Sequence, residues 1–175
     1  MKIISSVEKL SNRLFTVSDD HAVDPSGFEI KRYIVHHRGS AVMMPVDDGK
    51  RVLLVRQYRL PAGRMLWELP AGSIDPGEKP LQTAKRELKE ETGYHAKKWK
   101  KLISFYPSPG FLTEKMTIYL ATGLTAGEAT PMGDERIETR WFKAKEIEAA
   151  IEAGEILDAK TMLGYFFWKR SRGKR

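Results

Sequence analysis

With 175 residues and 41% hydrophobic side chains, the chain has the size and apolar content of one ordinary globular domain with a small appendage, not of a disordered tail. It contains no cysteine, which excludes disulfides, thiolate nucleophiles and cysteine-ligated zinc. The net charge is +7, part of it in the closing "WKRSRGKR"; no aromatic–basic interleaving accompanies that run, so it reads as a solvated end and nucleic acid is not an expected partner.

No segment approaches the ~20 apolar residues of a membrane span, and "MKIISSVEKLSN" lacks the apolar run of a signal peptide. A cytoplasmic location without membrane partners is therefore expected. Up to about Pro45 the chain reads as short strands, "FEIKRYIVHH" being the clearest, with a turn at "VDPSGF". "SAVMMPV" and "RVLLVRQYRL" flank Asp48-Gly49, a strong hairpin signal. "WELPAG" leads into "GSIDPGEKPLQTAKRELKEETGY", which reads as a loop and a helix. "WKKLISFYPSPG", "KMTIYLATGL" and "IETRWFKA" follow as strands, and two helical patterns, Lys145–Ala153 and Asp158–Arg170, close the chain. Strands flanked by separate helices point to an α/β or α+β sandwich.

The helix in that central segment has both ends marked. Pro80 suits a first turn, where its missing N–H costs nothing, and Gly93 suits the position just past the end. Leu81, Ala84 and Leu88 form an apolar stripe at helical spacing. Glu87, Glu90 and Glu91 stand at i, i+3 and i+4 and share one face. A charged solvent face is the ordinary reading of a glutamate-rich helix, but such faces usually alternate sign. Here each like-charge pair costs roughly 0.2–0.5 kcal/mol; Arg86 can relieve Glu90 at i+4, but no basic residue lies four positions from Glu91. A divalent cation turns the repulsion into coordination, and oxygen ligands without histidine or cysteine point to Mg²⁺, with Mn²⁺ as a substitute. A P-loop across Gly72 and Gly77 is excluded, because Glu78 stands where the phosphate-binding lysine is required. His36 and His37 are adjacent and face opposite sides of a strand, so they cannot share one metal, and no histidine is assigned to chemistry.

Gly72, Glu78, Arg86, Glu87, Leu88, Glu90, Glu91 and Gly93 together resemble the Nudix box, with Tyr94 in its last apolar place. "RQYR", "WELPAGSID" and "SPGFLTE" resemble the ADP-ribose pyrophosphatase branch of that family, with Pro109 and Glu114 at the branch's proline and glutamate positions. The resemblance implies an α/β/α sandwich with a mixed β-sheet, preceded by an N-terminal β segment. Residues 1–45 would be that segment, exchanged between the subunits of a homodimer, and 46–175 the hydrolase domain. It further implies Mg²⁺-dependent hydrolysis of ADP-ribose, or of a related nucleotide sugar, to AMP and ribose 5-phosphate.

The resemblance also assigns roles. Glu87, Glu90 and Glu91 would ligate the metals, with the backbone carbonyl of Ala71. Arg86 and Glu78 would orient helix and loop, Arg56 would meet the diphosphate, and Glu114 would lie near the terminal ribose. The general base belongs on "MGDERIE", with Glu135 the first choice and Asp134 the second, since Gly133 stands where a relative has a glutamate. Phe28, Tyr33 and Phe111 are candidates to stack on adenine, although aromatics at such positions more often serve a core or an interface. The alternatives are a hydrolase of another NDP-sugar or of a dinucleotide, and a non-catalytic protein binding ADP-ribose or nucleic acid. An intact set of box carboxylates favours catalysis.

Overall fold

The structure, a computed structural model, describes residues 1–130 and 136–173, which form two compact units. Met1–Gly39 and Phe105–Met116 make the first. Strands β1 (Lys2–Ser11), β2 (Phe15–Val23) and β3 (Glu29–His37) form an antiparallel meander in chain order. Both reversals are built by short polar side chains that accept from the backbone ahead of them, the usual way Asn and Asp make turns. Asn12 Oδ1 accepts from the N–H groups of Leu14 and Phe15 at 2.8 and 2.9 Å, and Asp24 Oδ1 from those of Ser26 and Phe28 at 2.8 and 3.1 Å. The later segment is tied to β3, with Val35 N–H donating to the Phe111 carbonyl and Thr113 N–H to the Val35 carbonyl, at 2.7 and 2.9 Å.

The second unit, Ser40–Ser104 with Thr117–Arg175, holds two sheets and three helices. One sheet has the order β7 (Ala71–Ser73), β4 (Ser40–Pro45), β9 (Met116–Thr125), β8 (His95–Phe105). The other has the order β10 (Glu138–Phe142), β5 (Val52–Arg59), β6 (Arg64–Glu68). Helices α1 (Pro80–Thr92), α2 (Ala144–Glu152) and α3 (Ala159–Arg172) complete the α+β architecture. Strand β4, apolar from Ala41 onward, is buried along its whole length.

The expected hairpin at Asp48-Gly49 takes a different form. The chain does reverse, with Asp47 accepting from Arg51 N and Nε at 2.7 Å each, but the positive φ of 62° falls on Lys50, not Gly49. Pairing stops after the single bridge Val46↔Val52. Strand β4 already has β7 and β9 on its two edges, so β5 has no edge to join and continues into the other sheet.

Helix α1 forms between the two ends read from the sequence. Pro80 opens it, Gln82 Oε1 accepts from Lys79 N–H at 2.8 Å, and Gly93 closes it at φ 73° with its N–H on the Lys89 carbonyl. Ala84 and Leu88 are fully buried against Ala41, Met43 and Ala121. Burying one leucine is worth about 1.5–3 kcal/mol, several times the roughly 0.2–0.5 kcal/mol lost at each like-charge pair. Packing therefore holds the helix in place despite its like-charge pairs.

Candidate active site

Three elements bring the polar groups together: α1, the short strand β7, and the loop between them. Gly72 lies on β7, paired with Ala41, next to Ala71. The Glu87 carboxyl packs directly over it, so closely that a Cβ at position 72 would sit 2.0 Å from both Cδ and Oε1. Only glycine at this position leaves the Glu87 carboxyl where it lies.

Arg86 is the hub of the cluster. Its Nε and Nη2 donate to the two oxygens of Glu78 at 3.1 and 3.0 Å, and Nη2 lies 3.3 Å from Asp75. Its Nη1 donates to Glu87 Oε1 at 2.7 Å and to Glu90 Oε2 at 3.0 Å. One cationic nitrogen thus already bridges two of the three helix glutamates. Glu91 is 4% exposed. Among the described residues no three acidic or imidazole side chains converge as a metal site, and Arg86 Nη1 bridges Glu87 and Glu90.

The hydrogen bonds from Arg86, then that from Thr83, hold the Glu78 carboxyl down to about 2. Its ordinary value is 4.5, so the stability it contributes is complete above pH 4.5 and is lost as pH falls from 4.5 toward 2. Glu78→Gln should accordingly melt below the wild type at neutral pH, with the gap closing as the pH drops through that window. Thermal melts of both proteins from pH 7 to pH 2 check this; parallel curves throughout would contradict it.

Other expected site residues are placed as follows. Arg56 lies on β5, in register with Glu138, 3.4 Å from its carboxylate and stacked 5.7 Å from the Trp67 ring centre. Glu114, Phe111, Phe28 and Tyr33 belong to the first unit. Glu114 lies 3.7 Å from His37 Nδ1, while Phe111, Phe28 and Tyr33 are each more than half exposed, not packed in the core of the unit. Asp134 and Glu135 lie outside the described residues. On the side leading into them, Thr130 N–H donates to the Glu90 carbonyl at 2.9 Å; on the side leading out stands Glu138, beside Arg56.

Sequence reasoning missed a second charged cluster in this unit. Glu68, 2% exposed at the end of β6, accepts from Arg59 Nε and Nη2 at 2.8 and 2.9 Å and from Lys160 Nζ at 2.5 Å. Lys160 also lies 2.9 Å from Asp158. Burial alone would push the Glu68 carboxyl up, but the Arg59 hydrogen bonds and the charge of Lys160 outweigh it and hold it below its usual range. Arg59 is held more firmly charged by Glu68 first, with Glu91 and Asp158 adding to the attraction. The one available signal was a lone charge inside the apolar "MLWELPAG".

In the first unit, a cavity of about 350 Å³ is lined by Arg13, Phe15, His36, His37, Arg38 and Thr113, among others. Arg38 Nη2 donates to the Arg13 carbonyl at 2.6 Å, and His36 Nε2 lies 2.7 Å from Ser18 Oγ. Those groups are engaged in holding the meander together.

Comparison with known proteins shows which family the chain resembles. The model of the NUDIX domain matches residues 36–162. An ADP-ribose pyrophosphatase of Bacillus subtilis (strain 168) is 36% identical over 162 residues, covering 91% of this chain and 88% of the relative. One of Mycobacterium tuberculosis is 37% identical over 164 residues, covering 92% and 79%. A crystal structure of an ADP compounds hydrolase superposes with a TM-score of 0.84 at 23% identity, covering 100% of this chain and 98% of that one.

Proposed function

The chain belongs to the NUDIX family as a Nudix hydrolase, and from that premise we propose that it hydrolyses the diphosphate linkage of ADP-ribose to AMP and ribose 5-phosphate, with Mg²⁺ as cofactor and Mn²⁺ as a substitute. The observation that carries this reading is the Glu87 carboxyl lying over Gly72, the residue that follows Ala71 on β7, on the helix that also bears Glu90 and Glu91. The donor set fits a hard divalent cation: oxygen ligands only, two of them already sharing one cationic nitrogen. Glu87, Glu90, Glu91 and the Ala71 carbonyl hold the metal in this reading. When bound, the cation neutralises diphosphate charge and makes a water more acidic.

The chain's own residues do the positioning on which phosphoryl chemistry depends. Arg86, fixed by Glu78, keeps the carboxylates from repelling one another and sets their direction. Arg56 meets the diphosphate. Glu114 binds near the terminal ribose, and the exposure of Phe28 and Phe111 supports their stacking on adenine. Glu135, with Asp134 second, takes the proton of the attacking water. The anchoring of Thr130, four residues before Asp134 in sequence, on the Glu90 carbonyl supports this.

The runner-up is another NDP-sugar, since the box defines the reaction and not the leaving group. A screen of ADP-ribose, NDP-sugars, NADH and capped RNA, with a phosphatase converting the monoester products to phosphate, decides between them. ADP-ribose should show the highest kcat/KM, and only with Mg²⁺ or Mn²⁺ present. Faster turnover of another NDP-sugar would transfer the assignment, and binding of ADP-ribose without turnover of any substrate would favour a sensor.

We also propose that the protein is a homodimer in which residues before about Pro45 provide much of the interface and part of the substrate pocket. Strand β1 is exposed along its length, with Ile3, Ile4, Val7 and Leu10 each more than half exposed. An apolar strand left uncovered in one copy is suited to a partner, and a two-fold dimer is the commonest closed oligomer. Light scattering should give twice the chain mass; a monomer with full activity would contradict the proposal.

A further inference from the structure

We propose that Glu68, Lys160 and Thr161 form a buried clip that fixes the Leu69–Gly72 backbone, and with it the Ala71 carbonyl, in the position metal binding requires; this rests on the metal-ligand reading above. The segment runs from the end of β6 to the middle of β7, and it contains Pro70, which has no N–H to anchor it. Its remaining bonds come from elsewhere in the fold. Leu69 N–H donates to Thr161 Oγ1 at 2.7 Å, across 92 positions of sequence. The Pro70 carbonyl accepts from Met43 N–H at 2.8 Å. Immediately before them, Glu68 takes Lys160 Nζ at 2.5 Å.

The start of α3 is fixed in turn. Asp158 caps it, accepting from Thr161 N–H at 2.9 Å and from Thr161 Oγ1 at 2.5 Å, and it pairs with Lys160 at 2.9 Å. Thr161 Oγ1 therefore both accepts from Leu69 and donates to Asp158, so its hydroxyl has one defined orientation. Leu69 packs so closely on α3 that a Cβ at Gly164 would meet its Cδ1 at 2.6 Å.

Apolar residues of the same volume commonly give as much stability as a buried ion pair. What the charged set adds here is direction: each bond defines where the Glu68–Leu69 backbone sits relative to α3. Ala71 and the Gly72 cradle for Glu87 follow within three and four residues. Glu68, Lys160 and Thr161 are thus positioning residues acting through the backbone, with no contact to the reacting atoms.

The test measures Mn²⁺ affinity of substrate-free protein by electron paramagnetic resonance, beside the Mg²⁺ activation constant and kcat. Two variants weaken the clip by different routes: Thr161→Val, and Glu68→Met combined with Lys160→Met, which replaces the pair by apolar groups of similar volume. Arg59, 40% exposed at its side chain, remains solvated in the double variant. Both should keep the fold by circular dichroism and raise the Mn²⁺ dissociation constant about 10-fold or more, the scale typical of lost outer-shell support. Thr161→Ser, which keeps the hydroxyl, should restore wild-type affinity. Unchanged affinity in a folded variant overturns the inference, and so does loss of fold in both, which would make the network structural. Absence of Mn²⁺ binding by the wild type would instead overturn the metal-ligand reading itself.

Discussion

Glu91→Gln and Glu90→Gln should each lower turnover by more than about 100-fold at saturating Mg²⁺, exceeding the 10–100-fold that loss of an outer-shell partner costs. Without metal, both proteins should stay folded. From the sequence alone, neutralising a like-charge cluster promises a gain of a few tenths of a kcal/mol per pair, roughly 0.2–0.5. The structure adds opposing attractions: Glu90 bonds Arg86 at 3.0 Å, and the charge of Glu91 acts on Arg59. For Glu90, whose side chain is 32% exposed, an ion pair of this kind is worth about 0.2–1 kcal/mol, so gain and loss nearly cancel and the metal-free melting temperature of Glu90→Gln should differ little from wild type. A catalytic defect with a preserved fold separates ligands from structural charges. Near-normal catalysis in both variants would sink the metal-ligand assignment, and a collapse in metal-free stability would make the glutamates structural.

The parts of the fold legible in the sequence were those specified locally. Helix α1 could be read because its signals lie within fourteen residues: Pro80 at the first turn, Gly93 just past the end, and Leu88 on the buried face between them. The sharing of Glu90 with Arg86 followed from i+4 spacing alone. The clip at Glu68 could not be read, because Lys160 and Thr161 stand 92 residues from their partners and only the tertiary fold brings them together. The turn after Val46 failed as a full hairpin for the same reason, since local turn chemistry cannot report that β7 and β9 already occupy both edges of β4. Arg59 escaped notice beside Arg56, because both arginines stand in "RQYR" and only burial of Glu68 distinguishes them.

Gly72→Ala should separate metal binding from stability most sharply. The added methyl would meet Glu87 Cδ and Oε1 at 2.0 Å and Cγ at 2.4 Å, so the carboxyl must leave its place. Those atoms are the far end of a flexible side chain, and Gly72 does not sit at a positive φ that would strain alanine. The fold can therefore accept the substitution, and restricting the unfolded chain should even offset part of any packing loss, by about 0.4–1 kcal/mol. Mn²⁺ affinity should fall about 10–100-fold, the range for ligand mispositioning, with activity falling alongside it at limiting Mg²⁺. Gly93→Ala supplies the contrast. Its Cβ would meet the Gly127 carbonyl at 2.6 Å and Ala129 N at 2.8 Å, backbone atoms that cannot swing aside, and its φ of 73° costs an L-residue about 1–2 kcal/mol by itself. Gly93→Ala should lose stability first, shown by a lower urea midpoint, whereas Gly72→Ala should keep its midpoint and lose the metal. Equal Mn²⁺ affinity in Gly72→Ala and wild type would mean that Glu87 does not need its cradle, and would remove Glu87 from the ligand set.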